Sequence, residues 1–239
     1  DDAVRHTGPF DPALPVRQGP GSFPLVWFGL YEQPEPISIP TSMGSSPQHS
    51  LTWRTSLTQG AYREAIGRIK EHIARGDTYQ VNYSYRMSAA FSGDPWLYFV
   101  QLARAQNAQY AAFVNTERFS ICSASPELFF TLDGQTLTSR PMKGTAARGM
   151  TFDEDVGQAE WLRRSEKNRA ENVMIVDMVR NDIGRIARVG SVRAPHLFTI
   201  EKYPTVWQMT STVTGETDAG LCEILEALFP CASITGAPK

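Results

Sequence analysis

The sequence predicts an α+β fold in which antiparallel β-sheets pack with flanking helices. Three observations lead to it. Short β-rich runs follow one another between residues 109 and 142, with a strong two-residue hairpin signal at Asp133-Gly134 among them. Apolar residues at helical spacing occupy separate stretches on either side of those runs. The chain shows neither an internal repeat nor the βαβαβ alternation of a doubly wound sheet.

Nine of the 16 prolines lie in residues 1–47, followed by "MGSSPQHS", so residues 1–57 are expected to be irregular and to close a larger N-terminal region, with a short strand at "LVWFGLYE". A second domain runs from 58 to 239. Its first helix carries Tyr62, Ala65, Ile66, Ile69 and Ile73 on one stripe and stops at Gly76. In "DTYQVNYSYRM" the residues alternate, with Tyr79, Val81, Tyr83 and Tyr85 on one strand face and Gln80, Asn82, Ser84 and Arg86 on the other. That polar face is either the solvated side of a sheet or the floor of a polar site.

Asp94-Pro95 is an N-cap followed by proline at the first helical position, and it turns Trp96, Phe99, Val100 and Ala103 inward. Four strands follow, at "QYAAFVNT", "RFSICSAS", "ELFFTLDG" and "QTLTSRPM". The stretch 153–187 reads as one long helix, with Val173, Val176, Met178 and Val179 supplying apolar surface and Asp177, Asn181 and Asp182 bracing its end. "HLFTIEKY" and "TVWQMTSTVTG" are strands, "AGLCEILEALF" is a helix ending at Pro230, and "SITGAPK" is a loop of small residues.

Composition narrows the function classes. With 239 residues, 41% hydrophobic and 20% charged, the chain can bury a core, and a net charge of -2 from 23 basic and 25 acidic residues lacks the basic footprint of a nucleic-acid binder. A small-molecule partner is expected, and no nucleic acid. Three cysteines, without metal-ligand spacing, fit a reducing compartment and no zinc site. No apolar run reaches the length that spans a bilayer and the first residues lack a signal layout, so the expected location is cytoplasmic, with no membrane partner.

The chemistry gathers around "RPMKGTAARG". The Asp133-Gly134 turn folds "SPELFF" back onto "LTSRPMKGT", which brings Glu127 near residues 140 and 141 with Lys143 just beyond. Under a strict two-residue loop the two side chains face opposite sides, whereas a one-residue bulge near Pro141 puts them together. Lys143 is a nucleophile, a charge for an anionic substrate, or a solvated lysine. The first role requires burial or a neighbouring cation to favour the free amine, and Arg140 and Arg148 are the candidate cations. Asn168 and Glu171 lie one helical turn apart on a shared face, where a carboxylate can hold a hard cation such as Mg²⁺.

Taken in order, "GDTYQVN", "SASPELFF", "RPMKGTAARG", "KNRAENVMIVDMVRNDIGRI", "YPTVWQMTSTVTG" and "SITGAPK" resemble the chorismate-utilising enzymes, over about residues 60–239. That family includes anthranilate, isochorismate and salicylate synthases and aminodeoxychorismate synthase component I. The resemblance implies their fold, incomplete at both ends, with 58–239 a partial chorismate-binding catalytic domain of a protein about twice this length. Lysine before the Gly-Thr step implies the branch that aminates chorismate to 4-amino-4-deoxychorismate for 4-aminobenzoate and folate through a covalent lysine adduct. An anthranilate-type amination, or a non-catalytic fragment, is the alternative.

On that resemblance Lys143 is the nucleophile and Glu127 the general acid, its carboxyl kept protonated by an apolar setting such as Leu128 and Phe129. Glu171 holds Mg²⁺ against a substrate carboxylate. Gly144, Thr145, Gln80, Gln208 and Thr235 line the substrate pocket, with Gln80 standing where water-using relatives place a lysine base. A glutamine amidotransferase subunit is the implied source of ammonia. Asn168 stands where many relatives carry a second acid, and Gln208 where many carry a histidine. The strand "NAQYAAF" lacks the proline pattern of tryptophan-binding members.

Overall fold

The computed structural model describes Trp27, Gly29, Leu30 and residues 32–38, 51–116 and 118–238. The chain divides into two compact units, Asp1–Ser46 and Pro47–Lys239. In the first unit the described residues form neither helix nor strand. The strand expected at 25–32 is absent at Trp27, Gly29, Leu30 and Glu32, and its other positions lie outside the described residues.

The second unit enters through β1 (Arg54–Thr55), α1 (Gln59–Arg75), β2 (Gln80–Val81) and β3 (Met87–Ser88). Thr58 caps α1 by accepting from the Ala61 amide, and Gly76 ends it with a φ of 80°, where a side chain would be strained. The alternating run 77–87 does not form the single strand its pattern predicts. β1 claims Met87–Ser88, the bridge at 236–237 claims Gln80–Val81, and between them Tyr83 and Tyr85 turn to Tyr62, with ring centroids 5.8 and 6.1 Å away. Ladder partners on two different elements, plus an aromatic contact in the middle, override the period-2 pattern.

α2 (Pro95–Gln106) starts as predicted, Asp94 accepting from the Trp96 and Leu97 amides at 2.7 and 3.3 Å. Phe99, Val100 and Ala103 are buried. The helix packs on the hairpin of β4 (Tyr110–Asn115) and β5 (Ser120–Ser125), where Phe113 meets both Trp96 and Phe99.

The central sheet contains β6 (Leu128–Asp133), β7 (Thr136–Arg140), β8 (Met142–Ala147), β9 (Arg193–Lys202) and β10 (Val206–Glu216), all antiparallel. β7 and β8 run end to end along one edge of β10 and bend at Pro141, whose carbonyl accepts from the Ser211 amide. β9 lies on the other edge. Asp133 pairs with Thr136, so the hairpin turn is Gly134-Gln135, one residue later than the Asp133-Gly134 signal places it.

The stretch 153–187 is two helices, α3 (Phe152–Arg164) and α4 (Glu166–Gly184), a correction to the single helix expected. Ser165 breaks it with a ψ of 109° and at the same time caps α4, its side chain accepting from the Asn168 amide. A serine N-cap inside a helical pattern satisfies amides that would otherwise be orphaned, so the break costs little. The core forms where Ile175, Val176, Val179 and Ile183 of α4 meet Leu137, Val213 and the apolar face of α5 (Leu221–Leu228). Val173, expected to supply apolar surface of this stretch, is exposed. "SITGAPK" is not a plain loop: it supplies α6 (Ala232–Thr235) and β11 (Gly236–Ala237), the partner of β2. No helix among the described residues is long and apolar enough to cross a membrane.

Candidate active site

Two bulges decide which side chains meet. Along the β6–β7 hairpin the pairs run Asp133 with Thr136, Leu132 with Leu137 and Thr131 with Thr138, then slip to Leu128 with Arg140, so Phe129 and Phe130 together face Ser139. Extended one residue beyond the ladder, the slipped register sets Glu127 toward Pro141, on the face that alternation gives to Lys143. The bulge thus exists, at Phe129–Phe130 rather than near Pro141. A second bulge follows: Thr145 pairs with Gln208 and Met142 with Thr210, leaving Lys143 and Gly144 against Met209 alone. Gly144 takes a φ of 106°, and a Cβ there would stand 3.1 Å from the Asn168 Cβ and 3.2 Å from the Met209 Cβ. Only glycine permits this approach of α4 to the strand.

Glu127 Oε1 accepts from the Met142 amide at 3.3 Å and its carboxyl is also hydrogen-bonded to the Ser233 side chain on α6. Burial is the largest influence on this carboxyl and raises its pKa; the bonds from Ser233 and the Met142 amide, and then the charge of Lys143, pull it partly back. Lys143 is half-buried and its charge is felt at Glu127, so amine and carboxyl share one electrostatic environment.

Neither arginine offered as a cation for Lys143 serves it. Arg140 is ion-paired with Glu201, which also accepts from Thr210 and Tyr203 hydroxyls at 3.0 and 3.1 Å. Arg148 grips Asp155 through two bonds of 2.6 Å and donates to the Tyr203 carbonyl. A guanidinium paired with a carboxylate, doubly at Arg148 and singly at Arg140, presents a weakened field to a neighbouring amine.

A model of the chorismate binding enzyme family matches residues 26–239. The chain belongs to that family. Over 200 residues it is 44% identical to aminodeoxychorismate synthase component 1 of Escherichia coli (strain K12), an alignment covering 81% of this chain and 44% of that protein. It is 36% identical over 189 residues to anthranilate synthase component 1 of Aquifex aeolicus (strain VF5), covering 78% of this chain and 38% of that one. Among solved structures, anthranilate synthase component I from Streptococcus pneumoniae TIGR4 superposes with a TM-score of 0.72 at 28% identity, over 79% of this chain and 42% of that one. The chain therefore spans less than half the length of the curated relatives it matches.

In this family member the remaining predicted residues sit as follows. Thr145 donates to Gln208 Oε1 across the ladder at 2.6 Å, a pair at the outer end of the same strand as Lys143. Gln80 lies on the separate two-stranded sheet beside Ala237, its Oε1 buried without a hydrogen-bond partner among the described residues. Gly236 gives that bridge room, since a Cβ there would collide with the Gln80 carbonyl. Thr235 donates its hydroxyl to the Cys231 carbonyl at 3.1 Å, so it is engaged with its own helix.

Glu171 is half-buried on α4, with Lys167 Nζ 3.9 Å away. Among the described residues no group of three or more His, Cys, Asp or Glu side chains could cage a metal. One carboxylate in a loose surface pair fits Mg²⁺, which needs few protein ligands when water and substrate oxygens complete its shell.

Sequence reasoning missed Ser233, which bonds the candidate acid, and Asn172, 1% exposed. A signal for Asn172 was present. It lies three and four residues before Ile175 and Val176, on the helical stripe that becomes the core, where a polar side chain needs buried partners.

Proposed function

We propose that this chain carries the chorismate-aminating centre of an aminodeoxychorismate synthase, turning chorismate and ammonia into 4-amino-4-deoxychorismate and water, on the route to 4-aminobenzoate and folate. The observation that carries the reading is the bond from the Met142 amide to Glu127, which ties the carboxyl to the residue next to Lys143, a lysine at the branch-specific position, while burial favours the carboxyl's protonated form. The Lys143 amine attacks C2 as the C4 hydroxyl departs, Glu127 gives that hydroxyl its proton, and water leaves. Ammonia then adds at C4 and expels the lysine from C2. A protonated Glu127 and a free amine at Lys143 are the required starting states, and the proton lost by ammonia restores the pair.

Glu171 is the side chain that holds Mg²⁺, which when bound neutralises a substrate carboxylate. Gly144, Thr145 and Gln208 form the strand wall nearest the amine, and Gln80 and Thr235 lie toward the β2–β11 bridge. The partner is a glutamine amidotransferase subunit, because free ammonia is a minor species at neutral pH. Three free thiols fit the cytoplasm as the compartment.

Chromatography of products from chorismate, ammonium and Mg²⁺ tests the reading. A 4-amino product that disappears in Lys143→Ala is expected. A 2-amino product would instead support the anthranilate-type reaction, which the 36% identical relative represents. Full ammonia-dependent turnover by Lys143→Ala would overturn the covalent mechanism. With glutamine in place of ammonium, turnover is expected only when the amidotransferase is added, and a chelator should abolish it.

A further inference from the structure

β10 is bulged against on both edges at nearly the same height. On one edge Lys143 and Gly144 oppose Met209; on the other, Thr199 pairs with Thr210 and His196 with Thr212, leaving Leu197 and Phe198 opposite Ser211. Phe198 takes a φ of 58°, in the left-handed region that branched or bulky residues avoid. Each bulge interrupts the ladder and leaves backbone groups to be satisfied by other means.

One chain of hydrogen bonds supplies both. The Phe198 amide donates to Ser211 Oγ at 3.2 Å, the Ser211 hydroxyl donates to Asn172 Oδ1 at 2.5 Å, and the Asn172 Nδ2 donates to the carbonyls of Lys143 at 3.1 Å and Met209 at 3.3 Å. The Phe198 amide can only donate and the two carbonyls can only accept, which turns Asn172 Nδ2 toward the carbonyls and leaves its Oδ1 to accept from the Ser211 hydroxyl. Asn172 and Ser211 are each 1% exposed, so neither has water as a substitute. An aspartate cannot make the two donations to carbonyl oxygens, and a leucine can make none of the three bonds.

A bulge bends its strand and re-aims the side chain at its first position, so the shape of the Lys143–Gly144 bulge opposite Met209 sets the direction in which Lys143 leaves the strand. Without a donor at the Lys143 carbonyl, the regular register with its ordinary ladder becomes the competing arrangement. We propose that Asn172, held by Ser211, is a positioning residue that locks the Lys143–Gly144 bulge and so aims the Lys143 amine at Glu127. Its value to turnover rests on the function proposed above; its effect on the direction of Lys143 does not.

The experiment reads Lys143 directly. Wild type, Asn172→Asp, Ser211→Ala and Ser211→Thr are labelled with an amine-selective acylating reagent over a pH series. The rate at the Lys143 peptide is followed by mass spectrometry alongside kcat, KM and the chorismate adduct. Asp155→Asn, which weakens the distant Arg148 clamp, is the control for general destabilisation. The expected result is a shifted pH profile for Lys143 in Asn172→Asp and Ser211→Ala, restored in Ser211→Thr, with kcat reduced about 100-fold as for a misplaced reacting group and KM little changed. If Asn172→Asp does not fold, Ser211→Ala carries the test alone. A wild-type Lys143 profile in folded Ser211→Ala, or an equal shift in the Asp155→Asn control, overturns the proposal. A shifted profile in a protein whose wild type forms no chorismate adduct would uphold the positioning role and sink the proposed reaction.

Discussion

Residues 128–237 bury Leu137, Ile175, Ile183, Val213 and Ile224 completely, whereas residues 51–91 leave Trp53, Ile73, Tyr79, Tyr85, Met87 and Phe91 in solvent. The candidate site straddles this contrast unequally. Lys143 and Gly144 belong to a strand packed against α4, which bonds the Lys143 carbonyl and stands against Gly144, and Glu127, just before β6, is bonded to the Met142 amide. Gln80 hangs on a two-residue bridge, with a buried amide oxygen that no described group satisfies. Groups that must be placed to a fraction of an ångström sit on the packed side. The sparsely packed side contributes the residue whose partner is least determined by the protein itself.

Breaking the packed side at its chemistry should have the largest effect. Lys143→Ala is expected to lower ammonia-dependent kcat by about 10³-fold or more, with the adduct lost by mass spectrometry. Glu127→Gln should cost about 10²- to 10⁴-fold. In wild type, activity should persist above the ordinary carboxyl range and fall as pH rises through the raised pKa of Glu127, because burial keeps the proton on; in Glu127→Gln that limb should vanish from the pH–rate profile. The same shift makes stability from this group present below the unfolded pKa and lost as pH rises through the folded one.

The contrast in packing has its own test. Leu137→Ala is expected to cost about 2–5 kcal/mol by denaturant unfolding, as for a fully buried leucine, while Ile73→Ala at the exposed end of α1 should stay within about 0.5 kcal/mol. Equal losses would mean that 51–91 is as tightly packed as the sheet. A smaller effect is expected at Asp155. Arg148 first, then the Gly149 amide and the Trp207 indole, hold its carboxyl well below the usual range against the opposing effect of burial. Its contribution is therefore present above the unfolded carboxyl pKa and lost as pH falls through the folded one, and Asp155→Asn should flatten the acid side of a Tm-against-pH curve.

Much of this was legible in the sequence. The Asp94-Pro95 cap, the Gly76 stop, the hairpin and the strands 110–140 and 196–215 follow from local propensity and period, which act over a few residues, whereas the strand Met142–Ala147 was not read. The ordered motifs named the family. What was not legible depends on tertiary partners. The bulge at Phe129–Phe130 leaves no local mark and the one at Lys143–Gly144 none except the glycine, whose close neighbour Asn168 and carbonyl partner Asn172 lie on a helix, Asn172 being 29 residues from Lys143. The fates of Arg140 and Arg148 were likewise set by Glu201 and Asp155 rather than by their neighbours in "RPMKGTAARG". Ser165 did carry a signal, a cap residue inside an apolar pattern, outweighed by the helical residues around it.

The central claim is that the hairpin slip and the second bulge bring Lys143 and Glu127 to one corner. It is tested most directly by titrating the Glu127 carboxyl, labelled with ¹³C, by NMR in wild type and in Lys143→Met. The wild-type pKa should lie above that of an ordinary glutamate, and removing the lysine charge should raise it further, since that charge favours the ionised form. A Glu127 titration identical in the two proteins would place the amine elsewhere and contradict the account.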